Sequence, residues 1–140
     1  MPVETVVFDL DGTLVDTAPD LHAATNHVLT SLGRRAISLA EVREFVGHGA
    51  RALIARGCAA TGDPVDGGAM EELYAAFIRY YTANIADHSR PFPGLLPFLE
   101  RCRAHGLALA VCTNKLEFLS VRLLDALNMS AYFSAIVGPD

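Results

Sequence analysis

Two aspartates stand one residue apart near the start of the chain, at Asp9 and Asp11 in the stretch VVFDLDGTLVDT. On a β-strand the side chains at positions i and i+2 point to the same side, so a strand continuing through both residues would crowd two carboxylates into one small volume. Such a pair repels, and the repulsion is relieved when a cation lies between the groups or when one carboxyl keeps its proton. The spacing therefore indicates a metal site, an acid–base site, or both.

The two carboxylates suit two different parts of a phosphoryl transfer. Asp9, at the end of an apolar run, is placed to attack phosphorus and to split a difficult hydrolysis into two steps through an acyl phosphate. Asp11 could then donate a proton to the leaving oxygen and later withdraw one from water. Mg²⁺ would offset the repulsion, because oxygen ligands suit it, and the N–H groups of Leu10 and Gly12 could cradle phosphoryl oxygens.

A second polar cluster follows the apolar run LALAVC at residues 107–112. The continuous run predicts a strand buried on both faces, as in a parallel sheet, with Cys112 packed in the core. Thr113 comes next and offers a hydroxyl and backbone N–H groups at the start of a predicted helix, where anions are favoured, and Asn114 could add an amide. A Thr-Asn pair after a strand is also a common helix cap. Its position at the sheet edge shared with Asp9 favours phosphate binding.

The elements that must position these clusters alternate along the chain. Strand patterns cover residues 3–9, 107–112 and the stretch SAIVG, whereas helical periods are expected over about 18–32, from Ser38 with Glu41 as a capping box, and over about 50–60, 68–86, 95–105 and 116–127. This order favours a parallel α/β sheet with right-handed crossovers. Ligands of such sheets gather beyond the carboxyl ends of the strands, so the two polar clusters are expected to be neighbours.

The helical stretch between the first two strands is expected to form a domain of its own. The sequence predicts a doubly wound α/β core made of residues 1–16 and 89–140, with an inserted helical domain at 17–88. Inside the insert, the turn Gly47–Gly49 with Arg51 just beyond it is a candidate substrate loop, because a guanidinium can bind a small carboxylate in bidentate fashion. It is equally consistent with a plain turn between helices.

Composition excludes several classes of protein. The formal charge is −5, and no basic cluster larger than Arg34–Arg35 is present to hold a nucleic acid. Three cysteines with no CxxC spacing suggest neither a disulfide framework nor a zinc site, so a reducing cytoplasm is the expected compartment. No basic flank with a long apolar segment is found, so neither a signal peptide nor a membrane span is expected. The expected partner is a small phosphorylated metabolite, and the oligomeric state stays open.

These motifs resemble a known family. FDLDGTLVDT resembles the first signature of the haloacid dehalogenase superfamily of phosphohydrolases, and LALAVCTN resembles the second. A helical cap after the first motif, the VGHGA turn, FPG at the cap exit and TNK after the second motif are together similar to phosphoglycolate phosphatases. The resemblance implies Asp9 as nucleophile and Mg²⁺ ligand, Asp11 as acid/base and as a metal ligand through its carbonyl, and Thr113 as phosphate binder. Dehalogenases of the superfamily lack the second aspartate, so Asp11 favours phosphoryl transfer.

The sequence departs from the family pattern at its end. The family has a lysine beyond the third strand and an acidic motif after the fourth, and both would lie past Asp140. The core is therefore expected to be incomplete, and the 140-residue chain to be the first part of a longer protein, weak in Mg²⁺ binding and inactive or nearly so. Lys115, the single lysine, matches one that the relatives carry in addition and is not expected to replace the missing one.

Three functions remain open at this point. The first is a Mg²⁺-dependent phosphatase for a small phosphomonoester, with 2-phosphoglycolate favoured. The second is a phosphosugar mutase that uses the same nucleophile but returns the phosphoryl group to a sugar. The third is a non-catalytic module that binds phosphate without hydrolysing it.

Overall fold

The structure is a computed structural model that describes residues 4–140, so Val3, the first residue of the predicted first strand, lies outside the described residues. The chain folds into two compact units, one made of the residues up to Asp16 together with Ser89–Asp140, the other of Thr17–His88. The elements in chain order are β1 (Thr5–Phe8), β2 (Val15–Asp16), α1 (Ala18–Ser31), α2 (Leu39–Phe45), α3 (Ala50–Thr61), α4 (Gly67–Ala83), β3 (Arg90–Pro91), α5 (Leu95–Ala104), β4 (Ala108–Cys112), α6 (Glu117–Ala126), a 3-10 helix (Ser130–Tyr132) and β5 (Ala135–Val137).

The first unit is built on a parallel sheet in the order β1-β4-β5. Phe8 lies opposite Val111, which in turn lies opposite Ile136. The helices α5 and α6 connect these strands, and α5 packs on β4 while α6 packs on β5. The α/β class and the parallel sheet that the sequence predicts are confirmed.

Only one face of this sheet is covered by described residues. The side chains of Leu109 and Val111 are buried, whereas alternate residues point to the other side, where Val7 and Val137 are 62% and 50% exposed. The prediction that β4 is buried on both faces is therefore wrong for residues 4–140, and so is the prediction for Cys112, which is exposed. Along the chain, β4 is placed next to β1, and β5 next to β4 on the side away from β1, so the sheet grows in one direction. Right-handed crossovers then place both connecting helices on the same face of the sheet.

A second, two-stranded sheet was not predicted from the sequence. In it β2 pairs antiparallel with β3, so that Val15 lies opposite Pro91 and Asp16 opposite Arg90. Each strand is two residues long, which is too short to show a period of two. The pairing brings together the chain segments that lie just before residue 17 and just after residue 88.

The second unit is a bundle of α1 to α4. Its core is made of apolar side chains at helical spacing: Leu21, Ala24, Val28, Leu29, Val42, Leu53, Ile54, Leu73, Phe77 and Tyr81. The predicted capping box is confirmed, since the Ser38 hydroxyl accepts the Glu41 N–H and the Glu41 carboxylate accepts the Ser38 N–H. The buried carboxylate of Asp20, at the start of α1, accepts the N–H of His88 at 3.0 Å, which ties the two chain ends of this unit together.

Within residues 4–140, no helix combines the length and the apolar character that crossing a bilayer requires.

Candidate active site

The first predicted strand ends at Phe8, one residue before the aspartates. Asp9 is exposed, the side chain of Leu10 is fully buried, and Asp11 forms an isolated bridge with Val15. The carbonyl of Leu10 accepts the N–H groups of the three residues Thr13, Leu14 and Val15, at 3.2, 3.0 and 3.2 Å. The aspartates therefore flank a buried leucine in a tight loop that leads into β2.

The backbone of this loop is largely occupied by internal hydrogen bonds. The N–H of Leu10 donates to Asp9 Oδ1 at 2.7 Å, and the N–H of Gly12 donates to the carbonyl of Val15 at 2.9 Å. Gly12 has a φ of 77°, a conformation that glycine adopts readily and that closes the turn. The structure thus directs the Gly12 N–H into the turn, contrary to the expectation that it faces a phosphate.

The second cluster follows β4. Thr113 is buried, its N–H donates to the carbonyl of Val137 at 3.0 Å, and its Oγ1 accepts the N–H of Lys115 at 3.1 Å. The helix α6 begins only at Glu117, so the Thr113 N–H belongs to the sheet rather than to a helix N-terminus as the sequence suggested. Because a hydroxyl keeps one hydrogen to donate while it accepts a bond, Thr113 Oγ1 can still donate to an anion. Asn114 is exposed beside it.

An ion pair joins the two clusters. The ammonium of Lys115 lies 3.0 Å from Asp11 Oδ1, and the two side chains are only 5% and 14% exposed. The loops after β1 and β4 therefore meet at one edge of the sheet, as parallel strands require. No role in the site was assigned to Lys115 from the sequence, and the structure places its ammonium beside Asp11. The signal available for it was a lone lysine two positions after the end of a strand, next to the threonine assigned to the site.

Arg51 lies in the helical unit, where its guanidinium is already engaged. It forms an ion pair with Glu71 and lies over the ring of Tyr74 at 3.9 Å from the centroid. The hydrogen bond with Glu71 raises the pKa of Arg51. Both partners are exposed, so a ligand carboxylate would have to compete with Glu71 for this guanidinium.

The donor atoms at this sheet edge suit a hard cation. The exposed carboxylate of Asp9 and the backbone carbonyl of Asp11 are oxygen ligands, and Mg²⁺ typically combines one or two carboxylates with water and phosphate oxygens. Among residues 4–140, no group of three or more His, Cys, Asp or Glu side chains is placed to hold a metal ion. The described residues thus fit part of a Mg²⁺ site.

The family can now be assigned from comparison with known proteins. The sequence profile described as haloacid dehalogenase-like hydrolase matches residues 6–140. The chain belongs to this family.

Several relatives within the family are similar to this chain over nearly its whole length. A phosphoglycolate phosphatase of Caulobacter vibrioides is 49% identical over 136 residues, which are 97% of this chain and 57% of that protein. One from Mesorhizobium japonicum is 44% identical over 135 residues, or 96% of this chain and 60% of that protein. The crystal structure of a predicted phosphoglycolate phosphatase from Haemophilus somnus superposes with a TM-score of 0.91 at 29% identity, over 99% of this chain and 65% of that one.

These comparisons confirm the family and the fold that the sequence predicted. They also show that the chain spans 57% and 60% of the two curated relatives, so about two fifths of each has no counterpart among these residues.

Proposed function

We propose that this chain contributes the nucleophile, the acid/base and a phosphate-binding lysine to a Mg²⁺-dependent phosphatase that hydrolyses a small phosphomonoester, with 2-phosphoglycolate favoured. The observation that supports this most directly is the 3.0 Å contact between Lys115 and Asp11, because it brings two carboxylates, an ammonium and the Thr113 hydroxyl to one sheet edge. Positive charge and hydroxyl donors next to carboxylates are what phosphoryl transfer needs.

The proposed first step forms an acyl phosphate. When the substrate binds, Lys115 exchanges Asp11 for the phosphoryl group, and Asp11 takes up a proton from solvent. A carboxylate oxygen of Asp9 then attacks phosphorus, the bond between phosphorus and the substrate oxygen breaks, and Asp11 gives that oxygen its proton so that it leaves as an alcohol. The exposure of Asp9 is consistent with attack on a ligand that approaches from solvent. Lys115 and the Thr113 hydroxyl bind the transferred group as donors.

The proposed second step releases phosphate. Asp11, now deprotonated, takes a proton from water, the water oxygen bonds to phosphorus, and the bond from phosphorus to Asp9 breaks. Both the carboxylate of Asp9 and the proton on Asp11 are thereby restored. Mg²⁺, held by the Asp9 carboxylate and the Asp11 carbonyl, would supply positive charge against the phosphoryl oxygens.

The substrate class is inferred from the relatives. Two proteins named phosphoglycolate phosphatase are 49% and 44% identical to nearly the whole chain, including its helical unit. We propose that the unit Thr17–His88 is the cap that selects the substrate, and that Arg51 would contact the substrate carboxylate only after exchanging Glu71 for it.

The test uses a chimera that joins residues 1–140 to the part of the Caulobacter relative that has no counterpart here. We expect it to release orthophosphate from 2-phosphoglycolate in the presence of Mg²⁺, and to lose this activity on chelation with EDTA and in Asp9→Asn. The matched control is Asp87→Asn, an exposed aspartate of the helical unit, which should retain the activity. An unchanged rate in Asp9→Asn would refute the mechanism.

Two alternatives give different products in the same assay. A phosphosugar mutase would transfer the phosphoryl group to a sugar phosphate and release little orthophosphate, which analysis of the products detects. A non-catalytic binding module would bind orthophosphate with no turnover of any phosphomonoester in a substrate panel.

A further inference from the structure

Gly138 packs against the backbone of the loop that presents Lys115. A Cβ atom at this position would lie 2.6 Å from the nitrogen of Glu117 and 2.7 Å from the carbonyl oxygen of Lys115. Real Cβ atoms do not approach other atoms this closely, and neither neighbour is a flexible side chain that could move aside. Only glycine therefore allows the exit segment, defined here as residues 137–140, to lie against the lysine loop, defined as residues 113–117.

Two hydrogen bonds join the exit segment to the lysine loop on either side of Gly138. The carbonyl of Val137 accepts the N–H of Thr113 at 3.0 Å, and Asp140 Oδ1 accepts the N–H of Glu117 at 2.9 Å. Glu117 is the first residue of α6, and the cap residue before it, Leu116, makes no side-chain cap hydrogen bond. Asp140 thus caps this helix from a distant part of the sequence, where a negative charge is also favoured by the helix dipole.

Within the lysine loop, the Lys115 N–H donates to Thr113 Oγ1 at 3.1 Å. A lysine side chain has four rotatable bonds and loses up to about 2 kcal/mol of rotamer entropy when it is ordered. If the backbone at Lys115 is already fixed, less conformational entropy is lost when its side chain is ordered with the ammonium 3.0 Å from Asp11 Oδ1.

We propose that Gly138 and Asp140 are positioning residues of the active site, which fix the lysine loop so that the Lys115 ammonium contacts Asp11. Their effect on turnover rests on the proposed function, but their effect on the Lys115–Asp11 contact does not. Neither residue touches the reacting atoms in the proposed mechanism. Each acts through the backbone of residues 113–117.

The single lysine provides a direct measurement of this contact. Acylation of Lys115 by an amine-reactive ester in the 140-residue chain, followed by mass spectrometry of the peptide that contains it, reports how often the ammonium leaves its buried ion pair. In the unmodified chain Lys115 should be protected. In Gly138→Ala its labelling rate should rise about tenfold, which corresponds to about 1.4 kcal/mol less for opening the pair.

The matched control is Gly67→Ala, where an added Cβ meets nothing within 4 Å and the glycine lies in the first turn of α4. This variant should leave the protection of Lys115 unchanged. If Gly138→Ala retains cooperative unfolding and Lys115 stays as protected as in the unmodified chain, the proposal is wrong.

A second pair of variants, at Asp140, tests the proposal if Gly138→Ala does not fold. Asp140→Ala removes the cap of α6 and should raise the labelling of Lys115, whereas Asp140→Asn keeps an oxygen that can accept the Glu117 N–H and should restore the protection. Equal labelling in the two variants would overturn the role of Asp140. Because labelling needs no substrate, a chimera that shows this pattern but hydrolyses nothing would refute the proposed function alone.

Discussion

Lys115 and Asp11 are separated by most of the sequence, yet the ammonium of the first lies 3.0 Å from a carboxylate oxygen of the second. Parallel pairing of β1 with β4 makes this possible, because both strands end at the same edge. The pair links the loop that holds the proposed nucleophile to the loop that holds the proposed phosphate ligands. Removal of this ion pair should therefore lower the stability of the fold and disturb the arrangement of the two loops.

The energetic coupling of this pair can be measured with a double-mutant cycle. Asp11→Asn leaves a lysine that is only 5% exposed without this carboxylate, and should lower the free energy of unfolding by roughly 2–4 kcal/mol. Lys115→Met should cost less, about 1–2 kcal/mol, because the remaining carboxylate is closer to solvent. Urea unfolding of the double variant should show a coupling of about 1–3 kcal/mol. Strictly additive effects would mean that the ion pair contributes nothing.

The 140-residue chain alone should be a poor catalyst and a weak Mg²⁺ binder. Within residues 4–140 no cluster of three or more potential ligand side chains is formed, whereas Mg²⁺ requires nearly octahedral coordination. We expect kcat/KM for 2-phosphoglycolate to be at least about a hundredfold below that of the chimera, since the loss of one electrostatic donor alone can cost this much. Phosphate release and calorimetric titration with Mg²⁺ on both proteins check this. Comparable turnover by the 140-residue chain would contradict it.

Stability in acid should depend on Glu41. Its hydrogen bonds with Arg35, and next with the Ser38 N–H, lower the pKa of Glu41 from 4.5 to about 2. The folded state thus favours the charged carboxylate of Glu41. Its contribution to the free energy of unfolding is therefore present above pH 4.5 and is lost as the pH falls from there to about 2. Glu41→Gln should unfold at a lower temperature than the unmodified chain at neutral pH, by a small margin because its partner Arg35 is exposed, and the difference in unfolding temperature should narrow in acid.

Thermal unfolding followed by circular dichroism across this pH range measures the difference in unfolding temperature between Glu41→Gln and the unmodified chain. Glu72→Gln, at an exposed position of α4, controls for the loss of one negative charge. A difference between Glu41→Gln and the unmodified chain that stays constant down to about pH 2 would contradict the assignment.

The three cysteines should differ in reactivity. Cys112 is exposed on the uncovered face of the sheet, whereas Cys58 and Cys102 are buried, and burial raises the pKa of Cys58. Because the thiolate is the reactive form, iodoacetamide should label Cys112 first in the native chain and the other two only after unfolding. Peptide mass spectrometry identifies the sites, and Cys112→Ser should remove the fast phase. Fast labelling of Cys58 or Cys102 would show that the core is not packed as described.

Much of the fold could be predicted because its signals are local. Each of these signals lies within a short stretch of sequence. They are the capping box of Ser38 and Glu41, the periodic apolar residues of α1 and α4, and the strand patterns around β1 and β5. The alternation of strands and helices then predicted a parallel sheet, and with it that the aspartates and Thr113 lie at one edge. The catalytic roles of these residues remain predictions.

Other features could not be predicted, because they depend on residues distant in sequence. The burial of β4 on one face only depends on where α5 and α6 pack, and a strand of five apolar residues looks the same in either case. The two-residue pairing of β2 with β3 has no periodicity to detect.

The sequence by itself determined which residue types are available for chemistry and on which elements they lie, since propensity, periodicity and capping act over a few neighbouring residues. Only the tertiary structure decided that Lys115 contacts Asp11, that the Gly12 N–H points into its own turn, and that Gly138 must be a glycine. These outcomes depend on distances of about 3 Å between parts of the chain that no local pattern connects.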